Sequence, residues 1–149
     1  MKTFIQRLFS KKRQMPDHLR AGAWGERIAE KELKKLGMKI IGKRVRFGRR
    51  FELDLVARDK DTLVFVEVKT RRSEKFGRPF SAVDRAKRRQ ISKAAIRYLE
   101  RLRKLPDYIR FDVVEVVGEQ GKGEPSVNHI ENAFTLDRSY RLPFPDPQD

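Results

Sequence analysis

Phe51-Glu52-Leu53-Asp54-Leu55-Val56-Ala57-Arg58, the turn Asp59-Lys60-Asp61, and Thr62-Leu63-Val64-Phe65-Val66-Glu67-Val68-Lys69-Thr70 form the stretch on which the fold turns. Two runs of strand-forming residues around a short polar turn read as a hairpin. Side chains two apart in a strand share a face, so Glu67 and Lys69 point the same way as Leu63 and Phe65, with Val64, Val66 and Val68 opposite. The same rule sets Glu52, Asp54, Val56 and Arg58 against Leu53, Leu55 and Ala57. Hairpin registers pairing residue 57 with 62, or 58 with 63, put Asp54 opposite Phe65 or Glu67. Glu52, Asp54, Glu67 and Lys69 then converge.

Such convergence is costly, because two carboxylates about 4 Å apart repel by roughly 4 kcal/mol at an effective dielectric near 20. Lys69 offsets part of that repulsion. A hard divalent cation such as Mg²⁺ offsets more and leaves positions open for phosphate oxygens. The other reading is a solvated strand face with ordinary cross-strand ion pairs. Against it stands the apolar run Leu63-Val64-Phe65-Val66, which reads as an interior strand, where an unpaired charge is expensive.

Outward from the hairpin, a helical pattern runs from about Leu19 to Leu36, with Trp24, Ile28, Ala29, Leu33 and Leu36 as its apolar stripe and Gly37 placed to end it. Glu26 falls on that stripe. It either pairs with Lys69, caps a neighbouring element, or reaches a metal site from the helix. Lys39 to Phe47 reads as a strand before the hairpin. After a loop with Gly77 and Pro79, Ser81-Ala82-Val83-Asp84 gives a capping-box signal for a second helix reaching about Lys104, with Ile91, Ala94, Ala95, Tyr98, Leu99 and Leu102 as its core stripe. Asp84, Lys87 and Arg88 extend that stripe towards a cleft, where a helix N-terminus attracts phosphate. Tyr108 to Val117 and Val127 to Phe134 read as the last strands. The order implies an α/β sandwich with a small mixed sheet. Residues 1–19 read as a basic arm, 20–136 as the folded domain and 137–149 as a Pro-rich tail.

The chain has 149 residues, with 36 Lys and Arg against 21 Asp and Glu, a net charge of +15. It is of single-domain length. No Cys is present, which excludes disulfides, thiolate nucleophiles and Cys-ligated zinc and suits a reducing, cytoplasmic setting. With only His18 and His129, histidine-based hydrolysis has little material. The first residues lack the apolar run of a signal peptide, and no stretch is apolar enough to span a membrane. The excess positive charge points to nucleic acid. Three runs carry it: Lys43-Arg44 with Arg46, Arg49 and Arg50; Lys69 with Arg71, Arg72, Lys75 and Arg78; and Arg85 with Lys87-Arg88-Arg89.

Gly22-Ala23-Trp24-Gly25-Glu26 with Ala29 and Leu33, Glu52-Leu53-Asp54-Leu55, Val64-Phe65-Val66-Glu67-Val68-Lys69-Thr70-Arg71, Phe76-Gly77, Lys87, Arg110-Phe111-Asp112-Val113-Val114 and Asn132-Ala133-Phe134 together resemble the YraN family of uncharacterised proteins regarded as endonucleases. That family is similar to the restriction-endonuclease-like PD-(D/E)xK superfamily and, within it, to Holliday-junction resolvases. The resemblance covers about residues 20–135 and implies an αβββαβ core. It assigns Asp54 to the motif aspartate, Glu67 and Lys69 to the terminal Glu-x-Lys, and Glu26 to the first-helix glutamate. Two positions depart: Leu53 replaces the superfamily proline, and Phe51 stands where the family usually has Gly.

The expected function is therefore a Mg²⁺- or Mn²⁺-dependent DNA endonuclease acting on branched or repair-intermediate DNA. Asp54, Glu67 and Glu26 would be its metal ligands, Lys69 its charge-stabilising amine, and Lys87, Arg71 and Arg88 its phosphate binders. Resolvase action would need two active sites, hence a homodimer. The alternative is a non-catalytic nucleic-acid-binding module on the same fold; a basic structural protein of a ribonucleoprotein explains the charge but not the acidic grouping.

Overall fold

The computed structural model describes residues 15–73 and 83–143. Helix α1 (Asp17–Lys35) precedes strands β1 (Lys39–Phe47), β2 (Phe51–Asp59) and β3 (Thr62–Arg71), and helix α2 (Arg85–Glu100) precedes β4 (Tyr108–Val117) and β5 (Ser126–Phe134). The strands form one sheet in sequence order. β3 and β4 are parallel, joined across α2, and the other neighbours are antiparallel. This is the mixed α/β architecture expected from the pattern, with a helix on each face.

β3 is the central strand, and Leu63, Val64, Phe65 and Val66 are all buried because both its faces are covered. Beneath α2, Phe65 stacks on Phe111 at 5.5 Å between ring centroids and meets Tyr98 edge-on at 5.8 Å. Ile91, Ala94, Ala95 and Leu99 close that layer. On the other face, Trp24, Ala29 and Leu33 of α1 pack on Leu55, Ala57, Val64, Val66, Val114 and Val116.

Gly37 ends α1 as the sequence implies: at φ +88° it takes the left-handed backbone that favours glycine. Its N–H donates to the Lys34 carbonyl while Met38 N–H donates to Leu33. Leu36, assigned to the apolar stripe, instead projects into solvent at 53% exposure, because the chain leaves the helix there. The second helix also differs from its expected bounds. Asp84 is the N-cap, its carboxylate accepting from Lys87 N–H at 2.7 Å. The chain tightens after Glu100, with Arg101 and Leu102 donating three residues back, so the helix stops short of Lys104. Ser81, like Phe76-Gly77, Lys75, Arg78, most of the basic arm and the end of the Pro-rich tail, lies outside the described residues.

The hairpin takes the 58-to-63 register, and its ladder runs from Asp59↔Thr62 to Leu55↔Val66. Asp54 and Glu67 are the next residues beyond the end of that ladder. The simple alternation of β2 fails at that step: Leu53 packs with Val56 under α2, while Leu55 and Ala57 face α1. Beside this step, β1 pairs Lys43 with Leu55 and Val45 with Leu53. Between them Arg44 adopts φ +45°. A left-handed residue inside a ladder re-aims its neighbours, as a bulge does.

Candidate functional site

Asp54 and Glu67 line a cleft of about 990 Å³ at the end of the sheet where β2 and β3 part. Trp24 and Glu26 of α1 also line it, as do Val68, Thr70, Arg71 and Arg72 of β3 and its extension, and the Gly118–Lys122 turn after β4. The approach of α1 is set by Gly25, which packs on Thr70 with no room for a side chain. Glu26, the next residue, is thereby brought to the cleft.

The Asp54 carboxylate accepts a hydrogen bond from Val68 N–H at 2.8 Å. Burial, and then the Glu67 charge, push its pKa up to about 8 despite that bond. Glu67 is 7% exposed and pairs with Lys87 Nζ at 3.4 Å, so the first turn of α2 reaches the site. The predicted convergence of Asp54 and Glu67 is thus present in the geometry, and it is electrostatically strained.

The other predicted residues are placed less simply. Glu26 Oε2 is held by Arg44 Nε at 2.6 Å, a partner the sequence reading did not consider in place of Lys69. Glu52 does not line the cleft and pairs with Arg46 at 2.6 Å. Lys69 is half-buried on β3 in register with Glu115, and it is not among the residues lining the cleft. Arg71 lines the cleft and pairs with Glu115 at 3.4 Å. Arg88 is exposed and donates to the Val83 carbonyl at 3.0 Å. Among the described residues, no group of three or more His, Asp or Glu side chains could hold a metal ion. The donor set is the Asp54–Glu67 pair, with Glu26 nearby but engaged.

The first basic run also reads differently in three dimensions. Lys43 pairs with Glu30 at 2.8 Å, as Arg44 does with Glu26, so both cations serve α1. Two consecutive residues thus reach the same helix, and the second of them, Arg44, is left-handed. The sequence reading placed Arg44 in a basic run and missed its pairing with Glu26, because a basic pair followed by alternation resembles a surface patch. It also missed His18 and Lys122 in the cleft wall.

A second polar centre lies in β4 and β5. Asp112 is fully buried and accepts from Arg110 Nε at 2.8 Å, Arg110 Nη2 at 3.0 Å and Asn132 N–H at 3.0 Å, and its Oδ2 lies 2.8 Å from His129 Nε2. Arg110 also reaches Asp59 at 3.2 Å. Hydrogen bonds from His129 and Arg110 outweigh burial and hold the Asp112 carboxyl below its ordinary range. The ladder between β4 and β5 shifts between Phe111 and Val113, and Asn132 is left-handed at φ +50°. Asp112 fastens that irregularity.

No helix among the described residues is long and apolar enough to cross a membrane. Residues 25–116 match the model of the uncharacterised protein family UPF0102. The chain is 47% identical over 115 residues to a UPF0102 protein of Syntrophomonas wolfei, covering 76% of this chain and 96% of the relative. It is 45% identical over 123 residues to one of Pelobacter propionicus, covering 81% and 86%, and 40% identical over 122 residues to one of Rhodococcus opacus, covering 80% and 100%. The motif string, the mixed sheet and these likenesses agree, and the chain belongs to the UPF0102 family, the YraN family of the sequence motifs.

Proposed function

We propose that the protein is a divalent-metal-dependent nuclease hydrolysing DNA phosphodiester bonds, with Asp54 and Glu67 as its metal-holding carboxylates. The observation that carries this reading is the Asp54–Glu67 juxtaposition in an open cleft, with Asp54 pushed up to about 8 by burial and its neighbour's charge. A purely structural pair gains nothing from that repulsion. The donor chemistry fits Mg²⁺ or Mn²⁺, since such ions take one or two carboxylates and complete their shell with water and phosphate oxygens. Glu26 would join after exchanging Arg44.

A bound cation would stabilise charge on the scissile phosphate and activate water. The chain's own residues set the geometry around it. Val68 N–H orients the Asp54 carboxylate, and Lys87 orients that of Glu67. Arg71 and Arg72, in the cleft wall, attract the substrate's phosphates. Lys69, two residues from Glu67 on β3, would be the amine that stabilises charge developing in the transition state. A branched substrate cut on both strands would require two copies of the chain.

The test is a cleavage screen over duplex, single-stranded, flapped and four-way DNA with Mg²⁺ and with Mn²⁺, using Asp54→Asn and Lys69→Ala as controls. Cutting abolished by Asp54→Asn supports the proposal. Binding without cutting, identical in wild type and variants, overturns it and leaves the second reading, a non-catalytic nucleic-acid-binding module. The Arg44–Glu26 pair favours that second reading, because it withholds a third carboxylate.

A further inference from the structure

We infer that the outer face of α2 is a docking track for the phosphate backbone of duplex nucleic acid, separate from the cleft. Arg85, Arg89, Lys93, Arg97 and Arg101 recur at every fourth position. On a helix that spacing makes one ridge, inclined by about 26° to the axis. It runs about 24 Å along the helix.

The ridge starts beside Asp137, which feels the charges of Arg85 and Arg89, and slants towards the β1–β2 hairpin. There, Lys93 Nζ lies 5.0 Å and Arg97 Cζ 6.0 Å from the Phe51 ring centroid. Arg101 Cζ lies 4.5 Å from that of Phe47. The rings act as shelves that hold the cations in place and lower the entropy lost when they engage a ligand. Phe51 of β2 supplies one of these shelves. Between the two rings, the turn adds the exposed Arg49 and Arg50.

Many described cations are tied into ion pairs, and this row is not. Lys43, Arg44, Arg46, Arg71, Arg72, Lys87 and Arg110 are each paired with an acid. None of the five ridge cations makes an ion pair with a described acidic side chain. The sole acid of α2 is Glu100, its last residue.

Four aligned cations on a rigid helix with a fifth at its C-cap, none in an ion pair with a described residue, suit a ligand with charge repeated along a line, and a duplex presents one negative charge per about 1.7 Å of axis. An anionic membrane fits less well. Surface helices bind lipid through a free apolar face, whereas Ile91, Ala94, Ala95 and Leu99 of α2 are buried in the core. Contacts of this kind position a duplex without reading its sequence.

The full-length protein, titrated in EDTA with a short fluorescein-labelled DNA duplex at several salt concentrations, tests the track. The triple variant Lys93→Ala, Arg97→Ala, Arg101→Ala is expected to weaken binding by at least about tenfold and to reduce the salt slope by about 2.7. Phe51→Leu should give a smaller loss in the same direction. Thermal melting of each variant confirms that it is folded. Unchanged affinity and slope in the folded triple variant overturn the inference. So does retention on phosphatidylglycerol vesicles, lost in the triple variant, when the duplex does not bind. Asp54→Asn should bind the duplex at least as tightly as wild type; failure to cleave, with this track intact, removes only the nuclease reading.

Discussion

Gly25 of α1 lies so close to Thr70 of β3 that a β-carbon placed on it would overlap the Thr70 Oγ1. This contact sets the height of the helix above the sheet, and with it the position of Trp24 and Glu26 at the cleft. Gly25→Ala should lower unfolding stability by about 1–3 kcal/mol, the usual cost of overpacking. Adding Thr70→Ala removes the offending oxygen and should restore most of it. Urea denaturation of both single variants and the double variant measures the coupling.

The raised pKa of Asp54 makes a signed prediction for stability. Between its ordinary value and about 8, the native state holds a proton that the unfolded chain has released, so stability from this group falls as pH rises through that window. Asp54→Asn removes the penalty. Its stability advantage should be absent near pH 4, grow with pH and level off above about 8, reaching on the order of a few kcal/mol. Melting curves at a series of pH values check this.

Lys87 partly relieves the same strain, for its charge lowers the Asp54 pKa while its ammonium pairs with Glu67. Lys87→Met should therefore push Asp54 above its present value of about 8. Carbon-13 NMR titration of the Asp54 carboxyl reads the change directly. A downward or absent shift contradicts the arrangement.

Divalent-ion affinity should follow the Asp54 proton. Protons and cations compete for the carboxylate, so Mn²⁺ binding is expected to strengthen by up to about tenfold per pH unit below about 8 and to flatten above it. Calorimetric titration at several pH values tests this, and Asp54→Asn should abolish the pH dependence.

Asp112 contributes in the opposite sense. Its carboxyl is held below its ordinary range by His129 and Arg110, so its stabilisation is present above the unfolded pKa and is lost as pH falls towards the lower native value. Asp112→Ala leaves Arg110 with a broken, partly buried network and should cost about 3–5 kcal/mol. Acid unfolding followed by circular dichroism should begin at higher pH in the variant than in wild type.

The elements were legible because their signals are local. Leu63-Val64-Phe65-Val66 is apolar at every position and became the central strand; Lys39 to Phe47 and Tyr108 to Val117 matched their strands at both ends. Asp54 and Glu67 could be brought together by period-two arithmetic once a register was assumed. The same arithmetic failed at Leu53, where the alternation is broken beside a left-handed residue on the neighbouring strand. Leu36 failed for a similar reason: helical period says nothing about where the chain turns away from the core.

The sequence by itself determined the strand and helix order, the family and the two carboxylates of the hairpin, since backbone period and turn chemistry act over a few neighbouring residues. Only the tertiary structure decided which charges remain available. Glu26 and Arg44 are 18 positions apart, and Lys87 and Glu67 belong to different elements, yet packing places each pair within ion-pair distance. Among the described residues, packing likewise gives the α2 ridge no ion-pair partner. Coulomb interactions depend on separation and burial in space, which chain order does not encode.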